Sequence, residues 1–242
     1  MNFQIASDLH LDKLYVPSIR TACGLDVKDY RELIRPKSDI LILAGDICHI
    51  SEVEKHTAFF EYVSEKFQYV LYVPGNHEFY KSDLDIEELE MKLEKYLCSF
   101  KNIFYLNNKS IVIEDILFTG SCLWCSPLQD PPSWFKIDID RYKISDMFEK
   151  SVSYLEKVSS INYNKHVVIT HYPPMPLNFA RVGKKGQYED YYQNNHIFLD
   201  HPPLYWIFGH THENFDDIIN GTHYISNQKK DHTYINSYTI TI

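Results

Sequence analysis

Cysteine is scarce in this 242-residue chain: there are five, an odd number. So sparse and uneven a set excludes a disulfide framework and fits a reducing compartment. No run approaches 18 apolar residues, which excludes a membrane-spanning helix. The first six residues form a short strand-like run that polar Ser7 and Asp8 close before any apolar signal region develops, so a cytoplasmic location is expected. Positive charge is short as well, with 24 Lys plus Arg against 33 Asp plus Glu and a net charge of −9. That balance excludes a surface coated for nucleic acid or anionic membrane, and leaves at most a local basic groove. Linkers rich in Gly, Ser or Pro, internal repeats and low-complexity tracts are all missing, so one domain spanning 1–242 is expected. What is plentiful is histidine, with 12 residues, and tyrosine, with 19.

Short apolar runs read as strands at Phe3–Ala6, Ile40–Ala44, Tyr69–Val73, Ile111–Ile113, Ile116–Thr119, Val167–Thr170 and Tyr205–Phe208. Most are near-continuous in Val, Ile, Leu and aromatics, as strands covered on both faces are. Helical periodicity lies between them. Ser51 and Glu54 have the spacing of a capping box ahead of Ala58, Phe59, Tyr62 and Val63. Asp83 is positioned to cap a helix whose stripe is Ile86, Leu89, Leu93 and Leu97, and a third helix is expected over 145–158. Asn220-Gly221 signals a type I′ hairpin between Asp216–Ile219 and Thr222–Ile225, and Tyr234 to Ile242 alternates as a closing strand. Strands alternating with helices and then a β-rich tail predict an α/β fold of stacked sheets flanked by helices.

Five polar clusters follow strand-like runs almost without a gap: Asp8-Leu9-His10, Gly45-Asp46, Gly75-Asn76-His77-Glu78, His171 and Gly209-His210-Thr211-His212. In an open α/β sheet the carboxyl ends of parallel strands share one edge, where ligands bind. Taken singly, each cluster is an ordinary turn. Five in succession, each at a strand end, bring two Asp, one Asn and four or more His to one place. Imidazole with carboxylate and amide oxygen suits Mn, Fe, Zn or Co, and the lack of thiolates disfavours a structural zinc site. Seven donors, one of them a carboxylate able to bridge, fit two ions better than one. A pair of ions about 3.5–4 Å apart is the arrangement used for attack on phosphorus.

The series D-x-H, G-D, G-N-H-[DE], H, G-H-x-H, complete from residue 8 to residue 212, resembles the calcineurin-like metallophosphoesterases. The resemblance implies a four-layer α/β/β/α sandwich built on two stacked mixed sheets. It implies that Asp8, His10 and His212 hold one metal, that Asn76, His171 and His210 hold the other, and that Asp46 bridges them. His77 is implied as the non-ligand histidine beside the substrate phosphate. The mechanism implied is hydrolysis of a phosphomonoester or phosphodiester by a hydroxide bridging the two cations, with His77 stabilising the phosphoryl group or protonating the leaving oxygen.

His49 stands at the Asp46-x-x-His49 spacing of the family's nuclease branch, where that histidine approaches the phosphate; a solvent-facing histidine before a helix is the plain alternative. Together His77 and His49 are the candidate catalytic residues. A nuclease acting on small or single-stranded nucleic acid is the second reading, weakened by the acidic charge. A non-catalytic scaffold is the third, and it predicts lost ligands where all seven stand. Cys122-x-x-Cys125, without a second pair, reads as two strand-end cysteines. Trp124 reads as core, and 122–141 and 172–203 as irregular segments near the metals. Arg181, Lys184 and Lys185 form the one cation cluster of the latter. His196, His201, His223 and His232 are expected to be non-ligands.

Overall fold

A computed structural model describes residues 1–20, 24, 26–177 and 186–242, with the side chain of Gln187 left aside. Thirteen strands and three α-helices lie among them. One five-stranded sheet carries β1 (Asn2–Ala6), β4 (Ile40–Ala44), β5 (Tyr69–Val73), β6 (Ile103–Tyr105) and β13 (Thr239–Thr241), in the order β13-β1-β4-β5-β6. Only β13 runs antiparallel there. A six-stranded sheet has the order β11-β12-β10-β9-β8-β7, from β7 (Lys109–Ile113), β8 (Ile116–Ser121), β9 (His166–Thr170), β10 (Tyr205–Ile207), β11 (Asp216–Ile219) and β12 (Thr222–Ile225). Its inner strands β8, β9, β10 and β12 are parallel. A small hairpin of β2 (Ser18–Arg20) and β3 (Asp26–Lys28) stands apart from both sheets.

The strand period of two sorts the apolar residues. In β4, Ile40, Ile42 and Ala44 face the second sheet, while Leu41 and Leu43 face the helices. Leu71 and Val73 in β5 repeat the pattern against Val70 and Tyr72. The core between the sheets is made from Phe3, Ile5, Phe118, Val167, Ile169 and Ile207, with the Phe3 ring edge-on to Phe118 at 6.0 Å. Helices α1 (Thr57–Lys66) and α2 (Ile86–Leu97) cover the five-stranded sheet, and α3 (Arg141–Ser159) lies against β8. The two-sheet α/β fold is therefore as expected. Among the described residues no helix is long and apolar enough to cross a membrane.

Several local expectations differ. The Ser51/Glu54 box does not form: Ile50–His56 is a 3-10 helix, His49 at its start makes no side-chain cap, and α1 begins only at Thr57. Burial of His49, Ile50 and Val53 sets the path here. The cap of α2 is Asp85, because Glu88 three residues on completes the capping box, whereas Asp83 has Ile86 at that spacing. The third helix starts earlier, at Arg141, capped by Asp140. The closing strand shrinks to Thr239–Thr241, because Asn227 captures both backbone groups of Ile235 with its side-chain amide, at 2.9 and 3.0 Å. The hairpin turn is as expected, with Asn220 and Gly221 both left-handed (φ 50° and 87°).

Candidate metal centre

The five clusters lie at strand ends. Asp8 and His10 follow β1, Asp46 follows β4, Asn76 and His77 follow β5, His171 follows β9, and His210 and His212 follow β10. Their backbone is the unusual part. Asp8, His10, Asp46, His210 and His212 all take left-handed φ, between 45° and 74°. Each such residue costs of order 1 kcal/mol, and such costs gather at functional sites. The turns also need two glycines. A Cβ on Gly45 would collide with the His171 ring, and one on Gly75 with the Asp46 carboxylate.

Two donor groups result. Asp8, His10, Asp46 and His212 form one, and Asp46, His171 and His210 the other. Asp46 belongs to both and divides its oxygens: Oδ2 lies 3.7 Å from His10 Nε2, and Oδ1 lies 3.2 Å from His171 Nε2. In the first group His212 Nε2 is 3.4 Å from both Asp8 Oδ1 and His10 Nε2. In the second, His171 Nε2 is 3.2 Å from His210 Nδ1 and 3.2 Å from Asn76 Oδ1. A cation with donors at about 2.0–2.2 Å separates neighbouring donors by roughly 3–3.6 Å, so these spacings suit one ion per group.

The lone pairs point the same way. The His171 Nδ1–H donates to the Ala44 carbonyl (3.0 Å) and the His210 Nε2–H to the Tyr191 carbonyl (2.9 Å). Each ring is thereby left with a bare nitrogen facing the other, a repulsive pair that only a proton or a cation between them relieves. Asp8 Oδ2 accepts from Ser7 Oγ (2.6 Å) and the His210 N–H (3.2 Å), while Oδ1, facing His212, is buried and makes no hydrogen bond. Asn76 donates through Nδ2 to Tyr80 Oη (2.8 Å), which turns its oxygen toward His171. Burial opposes charge on His171, but Asp46 outweighs it and pushes the ring up to about 9. Burial, then charge on His171, pushes His210 down to about 3. Burial also takes His10 down to about 4. Without a cation, one proton is held where a cation would sit.

Residues 1–214 match the calcineurin-like phosphoesterase family. The chain belongs to that family. Human metallophosphoesterase domain-containing protein 1 is 26% identical over 247 residues, 92% of this chain and 67% of its own. An uncharacterised protein of Acanthamoeba polyphaga mimivirus is 26% identical over 254 residues, 92% of this chain and 88% of its own. Phosphopantetheinyl hydrolase from Mycobacterium tuberculosis superposes with a TM-score of 0.61 at 14% identity, over 94% of this chain and 88% of that one. A dimetal phosphatase from Danio rerio gives 0.52 at 12%, over 95% and 87%. At such identities the two structures speak for the fold alone. As a calcineurin-like phosphoesterase the chain is a metal-dependent phosphoric ester hydrolase.

Two supports of this phosphoesterase site were not foreseen. Glu78, the acidic end of the third cluster, is fully buried and accepts four bonds: from the Asp46, Ile47 and Gly75 N–H groups (3.0, 2.7 and 2.7 Å) and from Tyr72 Oη (2.8 Å). It ties the turn after β4 to the turn after β5. Burial and then Asp46 push its carboxyl up to about 7. Its place in the motif was the available signal. Gln228 accepts the His212 N–H (2.7 Å) and donates to the Glu213 carbonyl (2.7 Å), and no local pattern marks it.

His77 is one-fifth exposed, with its backbone N–H on Asp46 Oδ1 (2.9 Å) and Nε2 3.9 Å from Asp46 Oδ2. His49 is brought to the same place but buried, parallel to the His77 ring at 6.2 Å and 3.4 Å from Asp12. The described part of 172–203 does reach the site: Tyr172 stacks on His210 at 4.0 Å, with Tyr192 at 5.7 Å. Trp124 packs between Phe79 and Tyr172. Cys122 and Cys125 are both buried, and burial raises both thiols. Arg181, Lys184 and Lys185 lie outside the described residues.

Proposed function

We propose that the protein is a dinuclear phosphoesterase hydrolysing a phosphomonoester or phosphodiester, with all of 1–242 acting as one domain. The observation that carries this reading is the divided Asp46 carboxylate, one oxygen toward each of two donor groups. Asp8, His10 and His212 would hold one divalent ion and Asn76, His171 and His210 the other, with Asp46 shared between the two groups. Such ions, when bound, supply Lewis acidity that makes water nucleophilic near neutral pH and neutralises phosphoryl charge. The chain's own residues do the rest. Asp8 and Asp46 bring two carboxylates to balance the cations, and the backbone carbonyls of Ala44 and Tyr191 hold His171 and His210 in register. His77, partly exposed beside Asp46, donates to the phosphoryl group or the leaving oxygen. His49, enclosed between His77 and Asp12, acts through His77. A cytoplasmic setting goes with the four described cysteines, all of them free.

The test is metal content together with turnover of p-nitrophenyl phosphate and its bis ester, on apo protein reloaded with Mn, Fe, Zn or Co. Two ions per chain with hydrolysis of either substrate is the expected result. One ion per chain at saturation, or full loading with no hydrolysis of any phosphate ester, overturns the reading.

A further inference from the structure

Lys13 belongs to none of the five clusters, yet its exposed side chain ends against His77. The turn after β1 is closed by its backbone N–H on the His10 carbonyl (2.8 Å), which anchors it beside the centre. Its Nζ lies 3.3 Å from His77 Nδ1. An ammonium offers only donors, so Nδ1 must be the acceptor and the ring proton must sit on Nε2. Nε2 is the nitrogen on the inner side, 3.9 Å from Asp46 Oδ2. The ring has little room to turn over: His10 meets it edge-on at 4.5 Å and Tyr80 lies against it at 4.3 Å.

We propose that Lys13 is a positioning residue for His77, holding it as the Nε2–H tautomer so that it presents a donor to the phosphoryl group. The assignment rests on the phosphoesterase reading for its purpose and on the Lys13–His77 contact for its substance. The opposite tautomer would turn a lone pair toward anionic oxygen, so the lysine decides whether His77 attracts the reacting group or repels it.

The test uses the zinc-loaded protein, labelled with 15N-histidine, and long-range 1H–15N correlation, with His77 assigned by its disappearance in His77→Gln. Wild type should show the Nε2–H pattern. Lys13→Met should lose it, lower kcat on an alkyl phosphate by about tenfold, change KM by less than about twofold, and leave metal content unchanged. Lys13→Arg, another pure donor, should restore both tautomer and kcat. An Nδ1–H pattern in wild type, an unchanged tautomer in Lys13→Met, or a loss confined to KM overturns the proposal; the last would make Lys13 a substrate contact. Metal stoichiometry reads the underlying assignment separately, since a failure of that assignment lowers zinc per chain while the His77 tautomer stays measurable.

Discussion

The core between the sheets and the edge where its strands end are a few residues apart in sequence and opposite in physical character. Ile5, Ile42, Val73, Ile169 and Ile207 sit in regular strands, buried against one another. A few residues on, Asp8, Asp46 and His210 hold left-handed backbone, His171 and His210 set nitrogens facing each other, and Asp8 keeps a buried carboxylate oxygen with no hydrogen bond. The edge is costly in isolation and is held because the core is not. Stability and chemistry should therefore separate under mutation.

The sharpest break is Asp46→Asn. The amide keeps the shape and can still accept the His77 N–H, but it loses the charge shared by the two donor groups. Both metals should fall below stoichiometry and turnover should drop by about 100-fold or more, beyond what a lost outer partner costs. Chelation should lower the melting temperature of wild type by linkage and barely move that of the variant. Equal metal content in both would remove the bridging role.

His77→Ala should leave both metals in place and cost about 10²–10³-fold in kcat on an alkyl phosphate, because a neutral ring donating from Nε2 stabilises charge on the phosphoryl oxygens. On p-nitrophenyl phosphate the cost should be similar, since that charge develops whatever leaves, and a much smaller cost there would mean that the ring gives up a proton and is not held neutral by Lys13. Loss of a metal would make His77 a ligand.

On the core side, Phe118→Ala removes a fully buried ring that meets Phe3, and should cost about 3–5 kcal/mol in denaturant unfolding. Turnover per folded molecule should stay near wild type. A variant of normal stability and lost activity would reverse the comparison.

A milder probe is His166 in β9, buried with Nε2 2.9 Å from Thr119 Oγ1 and pushed by burial down to about 4. The unfolded chain, at about 6.5, then binds the proton more readily, so stability should fall as pH drops between those values. Between pH 7 and pH 5 the share of the loss due to His166 should be about 2 kcal/mol, and His166→Gln should reduce the slope by that share while leaving metal content alone, the rest staying with groups such as His10 and His210. A slope unchanged in the variant assigns it to other groups.

The smallest expected effect is His49→Ala. Enclosed behind His77, it should slow monoester and diester alike, by about tenfold. A loss confined to the diester would bring His49 into contact with the substrate phosphate.

Much of this was legible in the chain itself. The strands β4 and β5 match their apolar runs residue for residue, since a run covered on both faces leaves no other period. The hairpin at Asn220-Gly221 was legible because its turn demands positive φ. The five clusters could be placed at one edge because each closely follows a strand, and the family resemblance picked out seven candidate donors among them. What the sequence could not contain was how those groups meet across it. His171 Nδ1 finds Ala44, 127 residues away, and that bond selects the lone pair that faces the centre. Glu78 joins two turns, Gln228 braces His212 from beyond the last cluster, and His49 is buried rather than solvent-facing. Local spacing sets what each residue can offer; only the stacking of two sheets, which brings strand ends to within bonding distance, decides which atom faces which.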